Sequence, residues 1–323
     1  MAGNCGAERI ATAGAPAASR QGSGWHPLLG AHMSIAGGAY RALEEAARRR
    51  TRAVQLFTRS TSSWAAKPLT AEEVRTFRET GARLGPFETA AHVCYLINLA
   101  SPDRALRDRS LRTFIDEVER CEALGIPRLV FHPGAHLGAG EAAGLRTIGA
   151  SVRAALRATR GCATRLLFEN TAGQGTVLGH RLEQLARLLE LAGEPGRTGV
   201  CLDTCHLFAA GYDFRTPEGY ARLRAEIDRT VGLSRVGWFH VNDCRSELGS
   251  HVDRHAHIGR GRIGSRAFRC LLTDPAFRAT PIVLETPKEN DADRRNLALL
   301  RRLSRLDESV ASGMPGERAG LPA

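Results

Sequence analysis

From residue 28 onward the chain repeats one rhythm: a short apolar run, a turn carrying glycine or polar residues, then a longer amphipathic segment. The apolar runs are 28–32, 53–57, 87–92, 128–132, 166–169, 199–203, 236–241 and 282–285. Helical patterns fill the gaps at 36–49, 71–84, 102–124, 141–160, 178–191, 217–231 and 265–272, and an eighth follows at 292–306. Eight strand–helix alternations predict an α/β chain closed into a single (β/α)8 TIM barrel, with a doubly wound open sheet as the structural rival. Thr70 before Ala-Glu-Glu and Ser101 before Pro-Asp read as helix N-caps. Gly81, Gly125 and Gly193 read as helix exits.

Where the chemistry falls favours the closed barrel. Six of the eight runs end at a potential metal ligand or one residue past it: His92, His132, Glu169, Asp203, His240 and Glu285. In a barrel the C-terminal ends of all parallel strands ring one mouth, so these six groups converge there. In an open sheet they would be strung along an edge too long for one site. His206 follows Asp203 by three residues, and Asp253-Arg-His255 follows the seventh run. These nine nitrogen and oxygen donors include no required thiolate, a set that suits Zn2+ or Mn2+ at an open catalytic site. Glu169, at the centre of the series, would bridge two ions. The Asp203–His206 pair alone also reads as a helix cap beside a satisfied histidine.

Other histidines divide by position. His32 ends the first run and should face the mouth, while His136 suits a partner behind a ligand. His180 and His251 sit in loops or at helix starts, and His257 competes with His255 for one ligand position. Gly259-Arg-Gly261-Arg-Ile-Gly264 satisfies the dinucleotide fingerprint, but polar residues precede it, so it reads as a flexible loop whose backbone and arginines approach a phosphate. No G-x-S-x-G nucleophile elbow occurs.

The formal charge of +11 favours an acidic partner, nucleic acid first among them. Only Lys67 and Lys288 among the 45 basic residues are lysine, so arginine preference accounts for part of the signal. The eight cysteines are scattered without a C-x-x-C pair, as in reduced thiols of a cytosolic protein. No stretch is apolar for long enough to span a membrane, and the start of the chain lacks the apolar core of a secretion signal. The expected organisation is a disordered arm at 1–27, one catalytic barrel at 28–306 and a flexible tail at 307–323. The expected setting is the cytoplasm, and nothing suggests a dedicated interface, so a monomer is expected.

Four segments then carry a resemblance: Phe131-His-Pro-Gly-Ala-His136, Phe168-Glu-Asn-Thr-Ala-Gly-Gln-Gly175, Cys201-Leu-Asp-Thr-Cys-His206 and Phe239-His-Val-Asn-Asp243. With Val252-Asp-Arg-His255 and Leu284-Glu-Thr286 they resemble the signatures of the endonuclease IV family, over residues 28 to 306. The resemblance implies a TIM-barrel hydrolase of base excision repair that holds three zinc ions, with Mn2+ an alternative at one site. It implies cleavage of double-stranded DNA 5′ to an apurinic/apyrimidinic site, leaving 3′-OH and 5′-deoxyribose phosphate, and trimming of blocked 3′ ends. An enzyme of that kind would associate with the nucleoid when acting on DNA.

Position by position, His92, His132 and Glu169 resemble the ligands of one ion, and Glu169, Asp203, His240 and Glu285 those of a second. His206, Asp253 and His255 resemble the third set, with Glu169 and Glu285 as catalytic carboxylates and no protein nucleophile. Tyr95 and Leu96 resemble residues that wedge into the base stack, and Trp64 fits a DNA-facing loop. Ser60 and Ser62 stand where a branch of the family carries asparagine and arginine, and Arg260 replaces an acidic residue.

Overall fold

The computed structural model describes residues 28–305. The arm and the tail expected at the two ends lie outside the described residues.

Eight parallel strands close into a barrel. They are β1 (Leu29–His32), β2 (Ala53–Phe57), β3 (Glu88–His92), β4 (Arg128–Phe131), β5 (Arg165–Glu169), β6 (Thr198–Asp203), β7 (Val236–His240) and, after a hairpin described below, β10 (Ile282–Leu284). β1 pairs with both β2 and β10, which removes the sheet edge and excludes the open-sheet rival. The helices outside the barrel are α1 (Tyr40–Arg48), α2 (Ala71–Leu84), α3 (Arg104–Leu124), α4 (Glu141–Ala158) and α5 (Leu182–Ala192). They continue with α6 (Thr204–Ala209), α7 (Pro217–Thr230), α8 (Ser265–Thr273) and α9 (Ala292–Leu303). No helix among the described residues is long and apolar enough to cross a membrane.

Strand side chains alternate between two apolar regions. Outward residues such as Val54, Leu129, Phe168, Leu202 and Leu284 join the helices in one large core. Inward residues form a separate layer: Ala53, Ala90, Val130, Leu167, Cys201, Trp238 and Val283. Gly30 continues this inner layer on β1, where a Cβ would stand 1.7 Å from the Ala53 carbonyl oxygen. Two residues further along each strand, the same parity points inward again, one layer nearer the mouth. That layer reads His32, Gln55, His92, His132, Glu169, Asp203, His240 and Glu285 around the barrel. A period of two thus turns one apolar layer into a ring of polar groups directly above it.

Local signals held in part. Thr70 accepts from the Glu73 N–H at 3.1 Å, and Glu73 reaches back to the Thr70 N–H at 2.7 Å, a complete capping box. Gly125 ends α3 in the left-handed region. Ser101 does not cap α3: the helix begins two residues later, with the Asp103 carboxylate accepting from the Leu106 N–H at 2.8 Å. Gly81 lies inside α2 facing Leu43 of α1, and the helix exits at Gly85. α5 begins at Leu182 rather than 178, because Gly179 takes a positive φ and its N–H goes to the Gln184 side chain.

Two elements had no signal in the periodicity: the short α6 directly after β6, and an antiparallel hairpin of β8 (Asp243–Cys244) and β9 (His255–Ala256) between β7 and α8. The Gly259–Gly264 loop is also committed differently from expectation. The Gly259 and Ile263 N–H groups both donate to the buried Asp243 carboxylate, at 2.9 Å each. Those amides bind a side chain of the protein itself, and Gly261 leaves room for it: a Cβ there would meet Asp243 Oδ1 at 2.4 Å.

Candidate metal centre

Glu169 ends β5 fully buried at the centre of the mouth. Its Oε2 lies 2.9 Å from His92 Nε2 and 3.2 Å from His132 Nε2. Its Oε1 lies 2.8 Å from His240 Nδ1 and 3.4 Å from His206 Nδ1. The two oxygens therefore face different neighbours, the geometry of a bridging carboxylate.

Three clusters able to hold a metal ion meet here: His92, His132 and Glu169; Glu169, Asp203, His240 and Glu285; and His206, Asp253 and His255. Within each, the donor atoms lie within 4.8 Å of one another. All nine side chains singled out from the sequence fall in these clusters, in the groupings the resemblance implies. A fourth, overlapping cluster of Asp203, Cys205 and His255 also occurs. Its thiol is engaged with Cys244, and that hydrogen bond together with burial holds the Cys205 thiol well above its ordinary value.

Six of these groups stand on or directly after barrel strands, where the sheet register places them. His206 arrives differently. The Asp203 Oδ1 accepts from the His206 N–H at 2.9 Å and caps α6, which turns the imidazole back over the mouth. Helix cap and candidate ligand are thus the same carboxylate: its Oδ2 lies 3.5 Å from His255 Nε2. Asp253 and His255 come from the β8–β9 hairpin, with Asp253 Oδ2 3.1 Å from His206 Nε2.

The histidines are oriented from behind, as metal-binding imidazoles usually are. The Nδ1 atoms of His92, His206 and His255 face the carbonyls of Val93, Asn170 and Glu285, at 2.8, 2.9 and 3.1 Å. Donation there leaves each Nε2 lone pair facing the cluster. For His240 the roles reverse: Nε2 donates to Gln55 Oε1 at 2.8 Å and Nδ1 faces Glu169 and Glu285. His255 Nε2 is buried and makes no hydrogen bond among the described residues, although Asp203 and Asp253 lie close by. A buried lone pair without a donor, between two carboxylates, fits a cation.

Charge balance points the same way. Burial opposes ionisation, yet His240 and His132 hold the Glu169 carboxyl well below the usual range. Burial likewise works against a proton on His206, but Asp203, Asp253 and Glu169 keep it well above its ordinary value. His240 is also held well above it, against burial, by Cys201, Glu285 and Glu169. The carboxylates draw positive charge onto the imidazoles, and a bound cation would take the place of those protons.

Sequence reasoning missed three amides that order this set. Gln55, on β2 and fully buried, donates to Glu285 Oε1 at 2.6 Å besides supporting His240. Asn242 donates to Asp203 Oδ2 at 2.6 Å and accepts from the Glu285 N–H at 2.8 Å. Asn170 accepts from the Asp203 N–H at 2.6 Å. Gln55 had a signal: it occupies the inward parity of an otherwise apolar strand. His32 joins this network at 3.2 Å from Glu285, as its place on β1 suggested.

The other histidines lie elsewhere. His136 accepts from the Gly140 N–H at 3.1 Å instead of backing a ligand. His180 and His251 stack edge to face, and His251 contacts the Ala172 carbonyl. His257 engages Glu289 and Asn296, which leaves the metal-facing position to His255.

Tyr95 stands beside the centre, 68% exposed, with its ring 6.1 Å from that of His92 and edge-on to Phe57. Leu96 next to it is half-buried. Tyr95, Leu137 and Val252 are the exposed large hydrophobic residues among those described, and all three lie on connections at this mouth. Trp64, on the β2–α2 loop, is half-buried beneath the Arg109 guanidinium at 4.5 Å. Ser60 and Ser62 lie on the same loop, with their hydroxyls 3.4 Å apart.

The chain matches the xylose isomerase-like TIM barrel family over residues 43–303. A probable endonuclease 4 of Chloroflexus aurantiacus is 51% identical over 279 residues, covering 86% of this chain and 98% of that protein. The crystal structure of endonuclease IV from Thermus thermophilus superposes with a TM-score of 0.77 at 37% identity, covering 86% of this chain and 98% of that one. A D-tagatose 3-epimerase-like protein shares the fold alone, at 16% identity and a TM-score of 0.66, with 85% and 96% coverage. By the close relatives and the family match together, this chain belongs to the endonuclease IV family within the xylose isomerase-like TIM barrels.

Proposed function

We propose that this chain is a zinc-dependent DNA-repair hydrolase that cleaves the phosphodiester 5′ to apurinic/apyrimidinic sites and trims blocked 3′ ends. The observation that carries the reading is the meeting of nine side chains from distant positions in three overlapping clusters around Glu169. The relatives named as endonucleases, and the basic balance of the chain, support nucleic acid as the substrate.

His92, His132 and Glu169 would hold one ion, Glu169 with Asp203, His240 and Glu285 a second, and His206, Asp253 and His255 a third. Bound zinc supplies Lewis-acid activation of the phosphodiester and neutralises charge on its attacking and leaving oxygens. The protein's share is positioning. Glu169 presents one oxygen to each of two clusters, and Gln55 fixes the His240 ring while bonding Glu285. Both glutamates are held below the usual carboxylate range against their burial, so they stay ionised and accept rather than donate at neutral pH. Neither a serine elbow nor a thiolate is called for.

Tyr95 and Leu96 would enter the base stack beside the lesion, with Trp64 against the DNA. The exposure of Tyr95 next to the centre supports a wedge over a core residue. A monomer suffices, since one chain supplies every ligand and the contacting loops. The third cluster has no task in a sugar epimerase, so the shared fold does not favour that chemistry.

The test is incubation with a duplex bearing one abasic analogue, with and without a strong chelator. Cleavage that chelation slowly abolishes and zinc restores is expected; an intact duplex under zinc-replete conditions overturns the proposal. An oligonucleotide ending in a 3′-phosphate tests the trimming activity in the same way.

A further inference from the structure

Glu117 is a fully buried carboxylate on α3, in a stretch that otherwise packs Phe114, Val118 and Cys121 into the core. Burying a carboxyl is costly unless it is hydrogen-bonded, and this one bonds in two directions. Its Oε2 accepts from the Thr58 hydroxyl at 2.5 Å, at the root of the β2–α2 loop. Its Oε1 accepts from the Cys94 N–H at 3.1 Å, one residue before Tyr95 on the β3–α3 connection.

The surrounding residues of α3 hold the first of these loops as well. Asp116 pairs with Arg59 at 3.0 Å and with Arg120 at 2.9 Å. Arg59, itself buried, donates to the Trp64 carbonyl at 2.5 Å and the Ser63 carbonyl at 3.3 Å. Arg120 donates to the Thr58 and Lys67 carbonyls, and Arg109 covers the Trp64 ring. One helix therefore grips the loop that carries Trp64 along its length. Glu117 is the side chain in this group that also reaches the loop carrying Tyr95.

Resting on the function proposed above, we infer that Glu117 is a positioning residue: it ties the Trp64 and Tyr95 loops to one helix and sets the spacing of two DNA-contacting side chains. It touches neither the metal cluster nor any reacting atom. Its loss should weaken capture of the duplex and leave the chemistry at Glu169 intact. Glutamine can keep both links, because its carbonyl accepts from Cys94 and its amide can donate to the Thr58 hydroxyl.

The full-length zinc-loaded protein is compared with Glu117→Ala, Glu117→Gln and Thr58→Val. Three quantities are read: kinetics on an abasic-analogue duplex, hydrolysis of a small aryl phosphodiester that does not engage the loops, and amide exchange over 58–64 and 93–97. Glu117→Ala should raise KM for the duplex by on the order of tenfold, the size expected for a lost buried acceptor, with the small diester and zinc content unchanged. Glu117→Gln should return KM to near the parent value, and exchange should quicken in both loops together in Glu117→Ala. An unchanged KM, a parallel loss on the small diester, or exchange that quickens in one loop only overturns the inference. Thr58→Val cuts one link only, so it decides the matter if Glu117→Ala does not fold: faster exchange at 93–97 supports the coupling, and no change there overturns it. A parent protein that leaves the duplex intact refutes the nuclease reading instead, and the exchange pattern still judges the coupling by itself.

Discussion

The strand-borne half of the mouth and its loop-borne half are held by different means. His92, His132, Glu169, Asp203, His240 and Glu285 stand on or beside paired strands, so sheet register spaces them before any side chain makes a bond. His206, Asp253, His255, Tyr95 and Trp64 stand on connections and depend on particular side-chain and backbone contacts: the Asp203 cap, the β8–β9 hairpin, and the grip of α3. The first half is rigid scaffold and the second is fitted to it. Damage to the first should therefore strike chemistry, and damage to Tyr95 or Trp64 in the second should strike DNA binding.

Glu169→Gln breaks the scaffold half most severely. The charge that faces two clusters is lost, and turnover should fall by about 10³-fold or more with the circular dichroism spectrum unchanged, in line with the loss of a central electrostatic group. Retained turnover would place the centre elsewhere. Gln55→Leu removes a support behind the same half without replacing a proposed ligand. It should weaken zinc affinity by about 10- to 100-fold in a competition titration, the usual cost of losing a group that orients a ligand.

Tyr95→Ala tests the fitted half. Affinity for the abasic duplex should drop about tenfold, consistent with a lost stacking contact, while zinc content stays the same. Equal binding would remove Tyr95 from the interface. Arg109→Ala, which only uncovers Trp64, should change duplex affinity by about two- to fivefold, the scale of one exposed cation–π contact.

The pH response joins the two halves, because one raised imidazole from each meets Glu169. His206 and His240 sit above their ordinary value of 6.5, so their protons stabilise the fold fully below that pH. This stabilisation is lost as pH rises through the raised folded values. A zinc ion bound there would compete with those same protons. The zinc-induced gain in Tm should therefore be larger at about pH 8 than at about pH 6, measured by thermal unfolding with and without chelator. A gain that shrinks with rising pH would mean these histidines do not meet the ion.

Legibility in the sequence follows the same division. The barrel and its ring of candidate ligands could be read because a strand has a fixed period, and a donor at the end of each apolar run falls at a predictable place. Gln55 obeys that parity too, but a single amide inside an apolar run marks a strand as readily as a site. Asn170 and Asn242 carried no such signal, since their bonds cross from one strand end to another. α6 and the hairpin were invisible because six and four residues are too few to show a period. Ser101 and Gly81 misled because a capping residue acts through local backbone angles that sequence spacing does not determine.

Trp238 fills the barrel beneath His240 and is fully buried among the inward apolar side chains. That layer packs the barrel directly beneath the cluster, so the mouth is the polar approach to it. A duplex seated over the mouth would cover the exit as well. Metal stripping would then become slow once substrate is engaged, and the order in which DNA and chelator are added would govern how long the protein stays active.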